Sequence, residues 1–311
     1  MTDNFADRLI HAVHSKSSCV CVGIDPRLEQ LPKAILETHP SARTDLSAAA
    51  ECYREFGCRI ADIVAPLVPV VKPQVAFFER LGPAGMAAYA EVCQHAREQG
   101  LLVIADIKRN DISSTAQAYA EAYLGPAEPG GFPAGLEVDA VTLNAYLGID
   151  GIQPFLDSAA ANDKGMFILV RTSNQSAKEF QDFERNGRKL YEEVAGRVTA
   201  WGESLVGECG YSSVGAGVGA TYPEEAAALR KQMPRSIFLV PGYGAQGGGA
   251  EDVAPCFNED GLGAVVNASR SIIFAYNRSP EKETHGESQW EFSIETATRL
   301  MNEELAKFGS S

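Results

Sequence analysis

The sequence predicts an α/β protein built as a single (β/α)8 TIM barrel, and three features lead there. Eight short β-rich runs, at 19–24, 68–72, 101–108, 138–144, 166–172, 213–218, 237–241 and 264–268, alternate with longer helix-like stretches. Such alternation is the mark of repeated βα units closing a parallel sheet. The runs are apolar almost throughout, as strands buried on both faces are. Charged and polar residues collect at the ends of the runs, where such barrels carry their chemistry.

The first run holds Cys19 and Cys21 on alternate positions, which predicts that both pack as small hydrophobes on one strand face. A helix is expected over 45–64, before the second run. Between Gly85 and Gly100, Met86, Tyr89, Ala90, Cys93 and Ala96 follow the helical repeat, and Gly100 stops it. The segment GPAEPGGFPAGL, 125–136, reads as a long Gly/Pro loop after the third unit. Strand patterning resumes directly beyond it, so it does not divide the chain. Pro223 opens a further helix, to Gln232. The stretch 277–291 is polar and expected to be exposed, and an amphipathic helix over 293–308 closes the barrel. Length alone would suggest about two domains. Barrels of this size are common, however, and one domain over 1–311 is expected.

The chain has 311 residues, 45% of them apolar and 22% charged, with a formal net charge of -14. That balance argues against nucleic acid, whose phosphates seek basic patches. It leaves room for a local basic pocket around a small phosphate. No apolar run reaches the roughly 18 residues of a membrane span. The opening MTDNFADRLIHAVHS lacks the basic-then-apolar layout of a signal peptide, so a cytoplasmic enzyme is expected. The seven cysteines are odd in number and scattered, unlike a disulfide framework. Neither they nor the five histidines stand at metal-ligand spacing at a strand end, so no metal is expected.

The strand ends are specific. The first leads into Asp25, within VGIDPR, and the second ends in Lys72, within VVKPQ. The third ends in Asp106-Ile107-Lys108, with Asp111 just beyond, within ADIKRNDI. The fifth leads into Thr172-Ser173-Asn174 and the eighth ends in Ala268-Ser269-Arg270. Asp106 and Lys108 are two apart, so on a strand both would enter the barrel mouth. With Lys72 from the neighbouring strand they form a cluster of alternating charge. A purely structural ion pair would also account for it, but such a pair could lie anywhere, whereas these charges all fall at strand ends. Residues 242–249 hold five glycines in eight positions. Alone they could be a plain surface loop; next to Arg270 they suit a phosphate held between the loops after strands seven and eight.

These residues resemble the orotidine 5′-phosphate decarboxylase family. The most specific part is Asp106-x-Lys108-x-x-Asp111 followed by Ile112 and Thr115, supported by PGYGAQGG and the strand-eight arginine. The VKPQ segment at 71–74 and the RTSNQS segment at 171–176 are similar to the longer bacterial subtype, type 2. The resemblance implies that Asp25 binds a ribose hydroxyl, and that Lys72 binds the ribose and pairs with Asp106. Asp106 would lie beside the substrate carboxylate and Lys108 would deliver a proton to C6. Asp111 and Thr115 would reach into the partner's site in a homodimer with shared active sites. Ser173 would hydrogen-bond the pyrimidine. Gln246, with Gly247 beside it, would bridge ring and phosphate, and Arg270 with a backbone N–H near Ser269 would hold the phosphate. Many members have Gly where this chain has Ser269, a change a backbone donor tolerates. The implied reaction is decarboxylation of a nucleotide, orotidine 5′-monophosphate, to UMP in pyrimidine biosynthesis, with no metal or organic cofactor.

Two other readings stand beside it. A Mg2+-dependent sugar-phosphate lyase of the same barrel superfamily also carries an Asp-x-Lys strand end, though here the Lys72 cation competes with a metal for the same ground. A non-catalytic phosphate-binding barrel would be marked by a degraded Asp/Lys set, and this set is complete.

Overall fold

The computed structural model describes residues 4–128, 130–244, 249–278 and 287–308. Eight parallel strands close into one barrel: β1 (Val20–Ile24), β2 (Val70–Pro73), β3 (Leu102–Arg109), β4 (Ala140–Leu143), β5 (Gly165–Arg171), β6 (Ser212–Val218), β7 (Ser236–Val240) and β8 (Ala264–Ala268). Each pairs with its neighbours in sequence, and β1 pairs with β8 to complete the ring, Val20 standing opposite Val266. The architecture is that of the (β/α)8 barrel the apolar runs predicted.

Alternation along the strands sorts the apolar residues into two clusters. Val20, Val22 and Ile24 face the surrounding helices, whereas Cys21 faces the barrel interior with Val70, Leu102, Ile104, Ala140, Phe167, Ile237, Leu239 and Val265. Cys19 and Cys21 are both buried, but they do not share a face: Cys19 belongs to the outer cluster. It precedes the first paired residue of β1, so strand alternation does not reach it.

A helix that the sequence reading did not single out, Phe5–Lys16, plugs the bottom of the barrel. Asn4 caps it by accepting from the Asp7 backbone N–H. Its Phe5, Ala6, Leu9, Ile10 and Val13 join the interior cluster. Phe5 meets Phe167 edge-on at 6.0 Å between ring centroids. Gly165 at the start of β5 makes room for it, since a Cβ there would lie 2.1 Å from the Phe5 ring. With the N-terminal end closed, the opposite end is left for the site.

The outer helices largely follow the expected periodicity. Leu46–Val64 begins at the cap Asp45, and Pro223–Gln232 has the expected bounds. Gly82–Glu98 starts three residues ahead of Gly85, with Pro83 in its first turn. The 125–136 segment forms neither helix nor strand among its described residues and leads into the N-terminal end of β4. It therefore lies at the end of the barrel away from the charged strand ends. The last helix is Trp290–Glu304, and here the expectation of an exposed stretch to 291 needs correction. Trp290 is buried against Phe56 and Tyr276, with ring centroids at 5.7 and 6.2 Å. Its indole belongs to the core of the closing helix, which a count of polar neighbours conceals. Among the described residues no helix is long and apolar enough to cross a membrane.

Candidate active site

The C-terminal end of the barrel carries a carboxylate saturated with donors. Asp106 and Lys72 are both buried, and Lys72 Nζ donates to Asp106 Oδ2 at 2.6 Å. Gln74 Nε2 donates to the same oxygen at 2.9 Å. The other oxygen, Oδ1, accepts from Thr142 Oγ1 at 2.9 Å and pairs with Lys108 Nζ. Four donors on two oxygens fill the acceptor capacity of an ionised carboxylate. Burial by itself would raise the Asp106 pKa, but the charges of Lys72 and Lys108 outweigh it and hold the group well below the usual carboxylate range. Burial would likewise lower the Lys72 ammonium; Asp106 and Asp25 outweigh that and raise it.

Lys108 meets Asp106, as two-residue spacing suggests, but not through regular alternation. From Ala105 to Arg109 β3 advances four residues while β4 advances only two, from Val141 to Leu143. The extra residues form a bulge, and Lys108 sits in it at φ 45°, a left-handed conformation that side chains seldom adopt. Such strain is typical of functional positions. Its side chain remains 46% exposed against 7% for Lys72, so Lys108 is the ammonium open to the mouth.

Asp25 and Asn267 border the same mouth. Their Oδ1 atoms are buried and accept no hydrogen bond from the described residues. Buried acceptors are rarely left so, and both suit a ligand's hydroxyl or N–H donors. Gly23 is required beside them: a Cβ there would fall 1.9 Å from Ser269 Oγ and 3.2 Å from Asn267 Oδ1. The missing side chain of Gly23 is what accommodates a serine at 269.

The loop after β5 is anchored by Arg171, whose guanidinium is fully buried between the rings of Tyr191 and Tyr222, 4.9 and 4.8 Å from their centroids. It pairs with Glu225 at 2.6 Å and Asp182 at 2.8 Å. Beyond it, Thr172 Oγ1 donates to Asn174 Oδ1 at 2.6 Å and accepts from Gln181 Nε2 at 2.7 Å. Thr172 and Asn174 are therefore engaged with the loop itself. Ser173, half-buried against Gly219, has no side-chain partner among the described residues.

Arg270 opens the short helix Arg270–Ile273, with Ser269 as its cap. Its side chain is exposed and makes no ion pair among the described residues. Gly242 and Gly244, with φ of 103° and 69°, start the glycine segment in conformations open to glycine. Gln246 and Gly247 lie outside the described residues. Asp111 and Thr115 do not join the Asp106 cluster within this chain: Asp111 Oδ1 accepts the Ile112 N–H at 2.8 Å, and Thr115 is exposed on the helix Ser113–Leu124.

With this geometry in place, similarity to known proteins is informative. Residues 18–284 match the Orotidine 5'-phosphate decarboxylase / HUMPS family. An Orotidine 5'-phosphate decarboxylase of Rhodopirellula baltica is 50% identical over 301 residues, covering 97% of this chain and 98% of the relative. The chain belongs to this family. Another Orotidine 5'-phosphate decarboxylase, from Caldicellulosiruptor bescii, is 42% identical over 275 residues, covering 88% of this chain and 90% of its own length. The solved structure of Leishmania donovani OMP decarboxylase superposes with a TM-score of 0.70 at 28% identity, covering 95% of this chain and 99% of that one.

The motif reading missed Gln74, Thr142 and Asn267. Strand parity could have found Gln74 and Asn267: Gln74 stands two residues after Lys72, and Asn267 two before Ser269. Thr142 is the polar break in the apolar run AVTL of β4.

Proposed function

We propose that the protein decarboxylates orotidine 5′-monophosphate to UMP in pyrimidine biosynthesis, using an Asp/Lys charge network and no metal or organic cofactor. The observation that carries this is the Asp106 carboxylate held between two ammoniums, Lys72 buried and Lys108 open to the mouth. Loss of CO2 breaks the C6–carboxylate bond and leaves its electron pair on C6, in the ring plane, where the π system delocalises it poorly. An ammonium fixed at that carbon stabilises the developing charge. Lys108 then gives a proton to C6, producing UMP, and regains one from solvent. Asp106, kept ionised, lies beside the departing carboxylate and favours its loss. Every lone pair of Asp106 is already engaged by an N–H or O–H donor, which suits this chemistry better than metal ligation.

The remaining assignments follow the family resemblance. Asp25, whose buried Oδ1 accepts no hydrogen bond from the described residues, takes a ribose hydroxyl, and Lys72 the ribose. Ser173 takes the pyrimidine, and Gln246 with Gly247 spans ring and phosphate. Arg270 and a backbone N–H near Ser269 hold the phosphate. Asp111 and Thr115 serve the partner's site in a homodimer. The exposed Ile112, Tyr146 and Leu147, on the loops after β3 and β4, with Ile149 at the start of the helix Ile149–Asn162, support an apolar contact there. The sequence features of the type 2 subtype and a cytoplasmic location complete the reading.

The test is loss of orotidine 5′-monophosphate absorbance with purified protein, before and after thorough EDTA treatment. Turnover nearly unchanged by EDTA supports the proposal. Activity that disappears with EDTA and returns with Mg2+ favours the sugar-phosphate lyase instead.

A further inference from the structure

We propose that Thr142 is a positioning residue for the decarboxylation, its single hydroxyl fixing the Asp106 carboxylate and the Lys108 backbone relative to each other. Thr142 lies on β4, one inward position above Ala140, and is buried. Its Oγ1 accepts the backbone N–H of Ile107 at 3.0 Å and that of Lys108 at 3.1 Å. It donates to Asp106 Oδ1 at 2.9 Å.

A hydroxyl has one proton to give and two lone pairs to share. With both lone pairs engaged by N–H groups, the proton of Thr142 has one direction left, toward Asp106. The hydroxyl is thus saturated and its orientation determined. It also stands in the place of the sheet ladder. The β3 bulge withdraws the backbone at Ile107 and Lys108 from regular pairing with β4. Without Thr142 Oγ1, the buried Ile107 N–H and the part-buried Lys108 N–H would lack this acceptor, and the strained Lys108 backbone would lose a tether to β4. One oxygen therefore ties together the carboxylate, the bulge and the base of the lysine side chain. Apolar neighbours hold it in place: Val141 and Leu143 pack outward on either side, and Phe167 stands opposite on β5.

The proposal rests on the decarboxylase reading, so wild-type turnover of orotidine 5′-monophosphate is measured first; its absence would defeat that reading rather than this one. Given active wild type, Thr142→Val keeps the shape and removes the hydroxyl. The expected result is a kcat lower by about 10- to 100-fold, the scale of a small misplacement at a reacting centre. KM and UMP affinity should stay within about 3-fold of wild type, because Thr142 Oγ1 contacts the catalytic pair and not the ribose or phosphate groups. Thr142→Ser, which keeps the hydroxyl, should restore most of kcat. Should Thr142→Val fail to fold, Thr142→Ser against Thr142→Ala isolates the hydroxyl in the same way. A Val or Ala variant with wild-type kcat overturns the proposal. So does a Ser variant as impaired as Ala, or a loss seen equally in KM and UMP binding.

Discussion

Lys72 Nζ lies 2.6 Å from Asp106 Oδ2, and both side chains are only 7% exposed. Taking either charge out of water is costly, and each is tolerable there because of the other. The pair shifts both groups toward their charged forms. Asp106 is lowered despite burial, under the charges of Lys72 and Lys108, and Lys72 is raised despite burial, under those of Asp106 and Asp25.

These shifts set a pH window for stability. A carboxylate whose folded pKa is lowered stabilises the fold above its unfolded value, about pH 4, and loses that contribution as pH falls toward the folded value. A lysine whose folded pKa is raised stabilises below about pH 10 and loses its contribution as pH rises further. Asp106→Asn should therefore cost about 3 kcal/mol at pH 7, because it leaves the buried Lys72 charge without its paired carboxylate, with Asp25 the remaining carboxylate beside it among the described residues. Denaturant unfolding across a pH series should show that deficit shrinking below about pH 4. A deficit constant from pH 7 to pH 2 would mean the Asp106 charge is not its source.

The placement of Lys72 and Asp106 was legible because strand ends in an apolar barrel have a fixed orientation. What the sequence could not carry was the bulge. Regular alternation would have put Asp106 and Lys108 side by side on one face; the structure brings them together through two additional residues and a left-handed Lys108. That arrangement depends on the Thr142 hydroxyl from β4, which no motif marks. Cys19 and Trp290 show the same limit at the edges of elements, where periodicity ends and packing decides. The plugging helix Phe5–Lys16 is apolar on one face, but the surface that receives it exists only once the barrel closes.

Arg270 offers a test of where substrate binding energy acts. Its exposed guanidinium has no partner within the described chain. If it grips the phosphate, Arg270→Ala should lower kcat/KM for the nucleotide by about 2–4 kcal/mol. Slow turnover of the nucleoside lacking phosphate should hardly change. Equal losses on both substrates would place the role of Arg270 in folding or in the chemical step.

Lys108→Ala should abolish decarboxylation while leaving a folded protein that binds UMP. The side chain is half-exposed, so its removal leaves the buried Lys72–Asp106 pair in place. Titration with UMP and a turnover assay on the same sample separate the two properties. Substantial residual turnover would show that the proton reaches C6 from another group.

Asp111 lies three residues beyond Lys108, its carboxylate turned to the Ile112 N–H rather than to Asp106. A residue that the family resemblance places in the site, yet stands apart from the cluster in its own chain, fits a site completed across a two-fold interface. Let Lys108→Ala and Asp111→Ala proteins each be inactive, then be unfolded, mixed equally and refolded. In a mixed dimer, one site combines both lesions. The other joins an intact Lys108 from one chain with an intact Asp111 from its partner. Random pairing makes about half the dimers mixed, so about a quarter of all sites regain both residues by that symmetry. Activity near a quarter of wild type is the expected result. If Asp111 instead serves its own chain, every site carries at least one lesion, and the refolded mixture stays as inactive as its parents.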